Sequence, residues 1–337
     1  MEASKARDIT LKVASPLILG GAILYWMYRG VDFKSIGNVL TEEMNWWWMV
    51  LSLPFGVMAQ VIRGWRWRQT LEPLGERPRM SVCIHAVFLS YASSLVIPRI
   101  GEFTRCGVLK RYDGVAFSKA LGTVVTERAI DTLLLLLLTG LTLLWQMHVF
   151  ARFFVETGTS VDSILARFSL TGWIVTAVCA VAVLWLLHIL LGRLSVYDKV
   201  KATVGGIWQG VISLRNVRDI PLFCLFTVGI WVSYFVQYYV TFFCFEPMSH
   251  LGMSCALVTF VVGSIAVIVP TPNGAGPWHF AVKTMLILYA VAEPDALCFV
   301  LIVHTVHTML IILLGIYSWL SLGFMAKKKK EHSRSIS

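Results

Sequence analysis

Uncharged apolar stretches alternate with short charged patches along the whole chain. Residues 13–28, 44–62, 168–187, 220–245 and 308–326 contain no Asp, Glu, Lys, Arg or His. A helix needs roughly 20 apolar residues to cross the hydrocarbon core of a bilayer. The pattern therefore predicts six full spans, at about 13–28, 46–63, 118–147, 168–187, 220–245 and 296–324. Two more apolar segments, 81–97 and 253–270, run into helix breakers and then into further segments at 101–114 and 278–292.

The charged patches orient these elements. Lys and Arg accumulate on the cytoplasmic side of membrane spans. Lys5, Arg7 and Lys12 fit that side, as do Arg63, Arg66, Arg68, Arg77 and Arg79, the basic stretch from Arg193 to Arg218, and the run Lys327 to Lys330. Asp32, Glu42, Glu43 and Glu246 mark the opposite side, where Trp46, Trp47 and Trp48 form an interfacial anchor. All basic patches fall on one side only if 81–97 enters and 101–114 turns back. The same parity makes 253–270 and 278–292 a hairpin entering from the other face. The expected fold is an all-α polytopic membrane protein with six full transmembrane helices, two re-entrant broken hairpins and both termini cytoplasmic.

The two breaks read alike: SSLVIPRIG at 93–101 and SIAVIVPTPNG at 264–274. Each is serine, an aliphatic run, proline, then glycine. Entry from opposite faces makes an inverted-repeat arrangement, an architecture of transporters whose broken helices meet near the midplane. Non-helical backbone at that depth must be buried in protein or line a wet cavity.

Composition agrees. Hydrophobic residues make up 57% of the chain and charged residues 14%, against about 25% charged in soluble proteins. This excludes a soluble fold. The N-terminal basic residues and apolar run lack a small-x-small cleavage site, so a retained first span is expected rather than a removed signal. The seven cysteines are scattered without a CxxC pair and read as small buried hydrophobes. The net charge of +10 reflects topology and the membrane surface, not nucleic acid. Residues 1–326 are expected to form one membrane domain, with 327–337 as a basic cytoplasmic tail.

The series RWRQTL (66–71), IPRIGEFTRCGVLKR (97–111), VVTERAIDTLLL (124–135) and PTPNGAGPWHF (270–280) resembles the lysylphosphatidylglycerol synthase transmembrane-region family. The most specific parts are Pro-x-x-Gly-Glu-x-x-Arg and the Glu-Arg-x-x-Asp on the next helix. The resemblance implies a flippase-like domain that moves lipids between leaflets, aminoacylated phosphatidylglycerol in some members and polyprenyl-linked or other lipids elsewhere. Members that make the aminoacyl lipid carry a large soluble synthase domain. After the last span only a short tail follows here, so that activity is not expected. One position departs from the family. Its late motif places Glu after a Gly-rich turn, whereas here His279 follows Gly274, Gly276 and Trp278. A carboxylate role does not carry over, and a histidine switch near neutral pH is the substitute.

These residues suggest a polar midplane site. Arginine suits phosphate because its guanidinium offers a fork of donors. Arg99, Arg105 and Arg128 are the candidates for a lipid phosphate. Glu102, Glu127 and Asp131 are the candidate counter-ions or proton carriers, because charges inside membrane helices face a bundle interior or a cavity. The alternative for these groups is a closed ion-pair cluster pinning the hairpin to the next helix. Gly101 lets the backbone depart from helix at the first break. Asn273, Gly274 and Gly276 could present backbone amides to an anion, or serve turn geometry alone. The Arg63 to Arg79 cluster is expected to reach anionic head groups at the surface, with substrate recruitment as the lesser role. His304 and His307 are three apart, but no carboxylate or cysteine completes a metal site, so buried hydrogen bonding is expected.

The expected function is translocation of an anionic lipid, phospho- or polyprenyl-phosphate-type, through a charged midplane cavity in the cell (inner) membrane. The chain is not expected to be an enzyme, and no cofactor or metal is expected. Two other functions fit the same residues: a membrane enzyme acting on a lipid phosphate, and a non-transporting scaffold for envelope synthesis. The partners are an anionic lipid and the bilayer; homo-oligomerisation is left open.

Overall fold

A computed structural model describes residues 44–146 and 217–336, together with Gly21 and Tyr25. The spans expected at 13–28 and 168–187 lie outside the described residues. Everything described is helix, turn or loop; no strand occurs among the described residues.

Helix α1 spans Trp46–Leu71. Asn45 caps it by accepting from the Trp47 amide at 3.1 Å. The helix then tightens into a 3-10 turn, Glu72–Leu74, ended by Gly75 at φ 77°. The expected end at 63 is therefore a correction. Arg63, Arg66 and Arg68 belong to the helix rather than to a loop. Arg63 and Arg66 are buried, with relative exposures of 4% and 0%, so neither reaches head groups at the surface. Polar atoms at that depth require partners, and the carboxylates of a later helix supply them.

Helices α2 (Met80–Val96) and α3 (Ile100–Asp113) form a hairpin. Ile97 is extended (φ −128°, ψ 117°), the conformation that a following proline imposes. Arg99 then turns the chain in the left-handed region, at φ 65°. The open end of the hairpin is tied by Arg79, whose Nε lies 2.7 Å from Asp113 Oδ1 and whose amide donates to Oδ2 at 2.8 Å. At the closed end Gly101 lies against α2. A Cβ there would stand 2.0 Å from the Ser90 carbonyl oxygen, so only glycine permits this approach.

Helix α4 (Phe117–Trp145) carries its polar residues on a buried stripe, Thr123, Thr126, Glu127 and Asp131. Its other face exposes Leu133, Leu136, Leu137, Leu141 and Leu144, as a lipid-facing helix does. Helix α5 (Ile220–Val240) runs antiparallel to α1. Gly56 of α1 admits the Gln237 side chain, and Asn45 N donates to the Cys244 carbonyl at 2.9 Å.

A 3-10 turn (Thr241–Cys244) and a short helix α6 (Glu246–Ser249) lead into α7 (Met253–Ala266). A second break separates α7 from α8 (Pro277–Leu288), with a 3-10 turn at Pro272–Gly274. Gly263 faces Trp278 and Val282, so α7 and α8 form the second hairpin. Helix α9 (Glu293–Ile336) closes the bundle and continues well past the expected end at 324. It crosses α2 where Gly315 abuts Ala92, and His85 Nδ1 meets Ser318 Oγ at 3.1 Å.

Among the described residues, three helices are long and apolar enough to cross a bilayer: Phe117–Trp145, Ile220–Cys244 and Glu293–Ala326. The described residues are thus those of an all-helical membrane protein. Two apolar cores hold it. One gathers Trp67, Leu71, Val82, Ala86 and Leu109 from α1, α2 and α3. The other gathers Phe242, Met248, Leu286, Phe299 and Val303 from the second half. The polar site lies among the elements that join these two cores.

Candidate functional site

Four arginines and three carboxylates meet between α1, α3 and α4. Arg63 Nη1 lies 2.6 Å from Asp131 Oδ2, and Arg66 Nη2 lies 2.8 Å from Asp131 Oδ1. Arg66 also faces Glu127 Oε1 at 3.4 Å, and Arg105 Nη2 faces Glu127 Oε2 at 2.7 Å. Arg128 pairs with Glu102 at 3.0 Å and stands 3.9 Å from Asp131. Helical spacing explains the assembly. Arg63 and Arg66 share a face of α1, Glu127 and Asp131 share a face of α4, and Arg105 lies on the inner face of α3. The Arg105 guanidinium also stacks over the Trp67 ring at 4.6 Å, and Trp67 Nε1 donates to Thr123 Oγ1 at 2.9 Å.

These charges are in a low-dielectric interior, where desolvation is offset only by close partners. Glu127, Arg66 and Arg105 are almost wholly enclosed. They fasten α1, α3 and α4 together. Arg128 differs, since its side chain is 42% exposed. Four guanidiniums against three carboxylates leave one positive charge in the cluster.

A cavity of about 440 Å³ opens beside the cluster. Arg63, Arg128 and Asp131 line its charged end. The second break contributes Val267, Ile268 and Asn273 to the lining, and α9 adds His304 and His307. Tyr234 donates to the Tyr91 hydroxyl at 3.1 Å within the same lining.

The breaks touch directly. The exposed Arg99 guanidinium donates from Nη2 to the Ile268 carbonyl at 3.1 Å. Asn273 stands at φ 52°, and its Nδ2 donates to Thr308 Oγ1 at 2.8 Å while its carbonyl meets His304 Nε2 at 3.1 Å. The Gly274 amide donates to the Thr271 carbonyl at 3.2 Å. The Gly276 amide donates to His279 Nδ1 at 3.3 Å. His279 is buried, with its ring 4.4 Å from that of His304.

The candidate residues thus divide. Arg128, Asp131 and Asn273 line the cavity. Glu102 adjoins it through Arg128, and Arg99 spans the two breaks. Arg105 and Glu127 are bound to each other behind the wall, Gly101 supports the α2–α3 contact, and Gly274, Gly276 and His279 shape the second turn. The sequence assigned Arg63 and Arg66 to head groups at the surface, with substrate recruitment as the lesser role, and did not place Gln60, Tyr91 or Tyr234 in a site. A usable signal was present. Ser52, Gly56, Ala59, Gln60, Arg63, Gly64, Arg66 and Trp67 are buried at helical spacing, so the small-residue stripe of α1 runs straight into its arginines.

The family model described as "Lysylphosphatidylglycerol synthase TM region" matches residues 13–315. A curated protein from Haloferax volcanii named Glycosyltransferase AglD is 26% identical over 311 residues, covering 83% of this chain and 50% of its own length. The chain therefore spans about half of that relative. No solved structure matches.

Proposed function

The chain belongs to the lysylphosphatidylglycerol synthase transmembrane-region family, and on that premise we propose that it is a lipid translocator and not an enzyme. It takes an anionic head group into the cavity while the lipid's chains stay in the bilayer. In this reading α2–α3 and α7–α8 dip into the membrane from opposite faces, six helices cross it, and both termini are cytoplasmic.

The observation that supports this best is the cavity itself. It places Arg63 and the partly exposed Arg128 beside a wall built from the second helix break. A phosphate entering there meets guanidinium donors and net positive charge. It also meets backbone that a lipid-exposed helix could not interrupt. The Haloferax relative is named for sugar transfer, and the match covers 50% of its length.

The test is reconstitution of the full chain into vesicles with a labelled anionic phospholipid and a leaflet-selective quencher. Movement well above that of protein-free vesicles is expected, and Arg128→Gln should reduce it at least tenfold. A folded, inserted protein that moves no lipid would overturn the proposal.

A further inference from the structure

The cavity has a second chemistry that a phosphate does not use. Besides its charged residues, the lining carries uncharged polar and aromatic side chains, among them Gln60, Gln237, Trp231, Asn273 and His307. The aromatic rings of Tyr238 and Trp278 stand 6.4 Å apart in the same wall, and Trp278 is 5.3 Å from His304.

Among the uncharged residues of this lining, Gln60 Oε1, Trp231 Nε1, His307 Nε2 and the Tyr238 hydroxyl are buried without a hydrogen-bond partner. Gln60 is 3% exposed. Buried polar atoms in native proteins nearly always find a partner, and an exception calls for an explanation. Here several exceptions belong to residues of one cavity. Gln60 Oε1 accepts, Trp231 Nε1 donates, and His307 Nε2 does either according to its tautomer. A phosphate oxygen only accepts and an ammonium only donates. A hydroxyl does both, and aromatic walls suit the apolar faces of a ring. The volume of about 440 Å³ falls within the roughly 300–1,000 Å³ of ligand pockets and leaves room beyond a phosphate.

We infer that these uncharged lining residues receive an uncharged polyhydroxyl group, a sugar or cyclitol, carried on the lipid phosphate. This deepens the translocator reading and rests on it.

The test measures binding to the full chain in nanodiscs by its tryptophan fluorescence. One pair of probes is a short-chain prenyl phosphate with and without a hexose. The other is phosphatidylinositol against phosphatidic acid. A gain of about tenfold on adding the hydroxylated group, in either pair, is expected, and the pair showing it identifies the lipid that carries the group. Gln60→Leu and His307→Leu should each bring the hydroxylated lipid down towards its bare counterpart. Neither should lower the melting temperature of the unliganded protein, because each removes an unpaired buried group. Equal affinities within both pairs overturn the inference, as does a variant that weakens both members of a pair equally. Leaflet movement without discrimination sinks this inference alone. Discrimination without movement sinks the translocator reading and leaves the binding site standing.

Discussion

The two helix breaks start from similar sequence and end as different devices. The first is short. Ile97 is extended, Pro98 comes next, and a single left-handed residue, Arg99, restarts the chain as helix. Its neighbours are ion pairs: Glu102 with Arg128, and Arg105 with Glu127. The second break is longer and contains a 3-10 turn, with left-handed backbone at Asn273 and Gly274 and a further positive φ at Gly276. Apart from Arg99, which reaches the Ile268 carbonyl, its neighbours hold it by hydrogen bonds: His304, His279 and Thr308. One cue, serine then aliphatics then proline and glycine, marks where helix must stop. The side chains packed around the gap decide whether it is held by charge or by hydrogen bonds.

The largest difference should appear at Glu127. Removing its charge leaves Arg66 and Arg105 buried beside an uncharged amide. Breaking a buried pair typically costs about 3–5 kcal/mol. Glu127→Gln should lower the melting temperature of the purified protein strongly. Adding Arg105→Met should recover part of the loss, since an apolar side chain brings no charge to desolvate. No substitution at the second break should act this way.

Next come the glycines inside each hairpin. Gly101→Ala drives a methyl into the Ser90 backbone, which cannot yield without moving α2, and should cost about 3 kcal/mol. Gly263→Ala meets the Trp278 and Val282 side chains instead, at 2.8 and 3.0 Å. Those can shift, so about 1–2 kcal/mol is expected, with a change in Trp278 fluorescence. Equal costs for the two would erase the distinction between a backbone-locked and a side-chain-packed hairpin.

The smallest effects on stability belong to the left-handed residues. Asn273→Gly relieves backbone strain but loses the bond to Thr308, and should stay within about 1 kcal/mol of the parent by thermal melt. Arg99→Gly should likewise leave the fold within about 1 kcal/mol, while it removes the link to Ile268 and reduces lipid movement in vesicles. Arg99→Lys keeps a charge without the planar fork and should recover little of that movement. An Arg99→Gly protein that melts far below the parent would assign the residue to stability instead.

The apolar runs made most described elements legible. The segments expected at 81–97, 101–114 and 118–147 emerge as Met80–Val96, Ile100–Asp113 and Phe117–Trp145. A run of aliphatics has few other options once a proline or glycine bounds it. The end of α1 was not legible, because arginines after an apolar run read as a cytoplasmic flank. Only the carboxylates of α4, distant in sequence, reveal that Arg63 and Arg66 are interior. Buried hydrogen bonding was expected of His304 and is found, but its partner was hidden for the same reason. Its partner is the carbonyl of Asn273, a backbone atom that carries no sequence label. Local pattern foretells local structure; pairings across dozens of residues emerge only from packing.

The pairing of Arg63 and Arg66 with Asp131 also sets an order of events during synthesis. The two arginines precede that carboxylate by 68 and 65 residues. At roughly 5–20 residues per second, α1 leaves the ribosome about 3–14 s before its counter-ion does. An arginine at the centre of an inserting helix costs about 2.5–3.5 kcal/mol on the insertion scale. In the topology proposed above, α1 would bear two arginines near its end during that interval, with no carboxylate from α4 to meet them. Its arginine-bearing end is better kept in the head-group layer, or beside the insertion machinery, until α4 arrives. On that topology the two helices would descend together as a neutralised unit, and the insertion of one would depend on the delivery of the other.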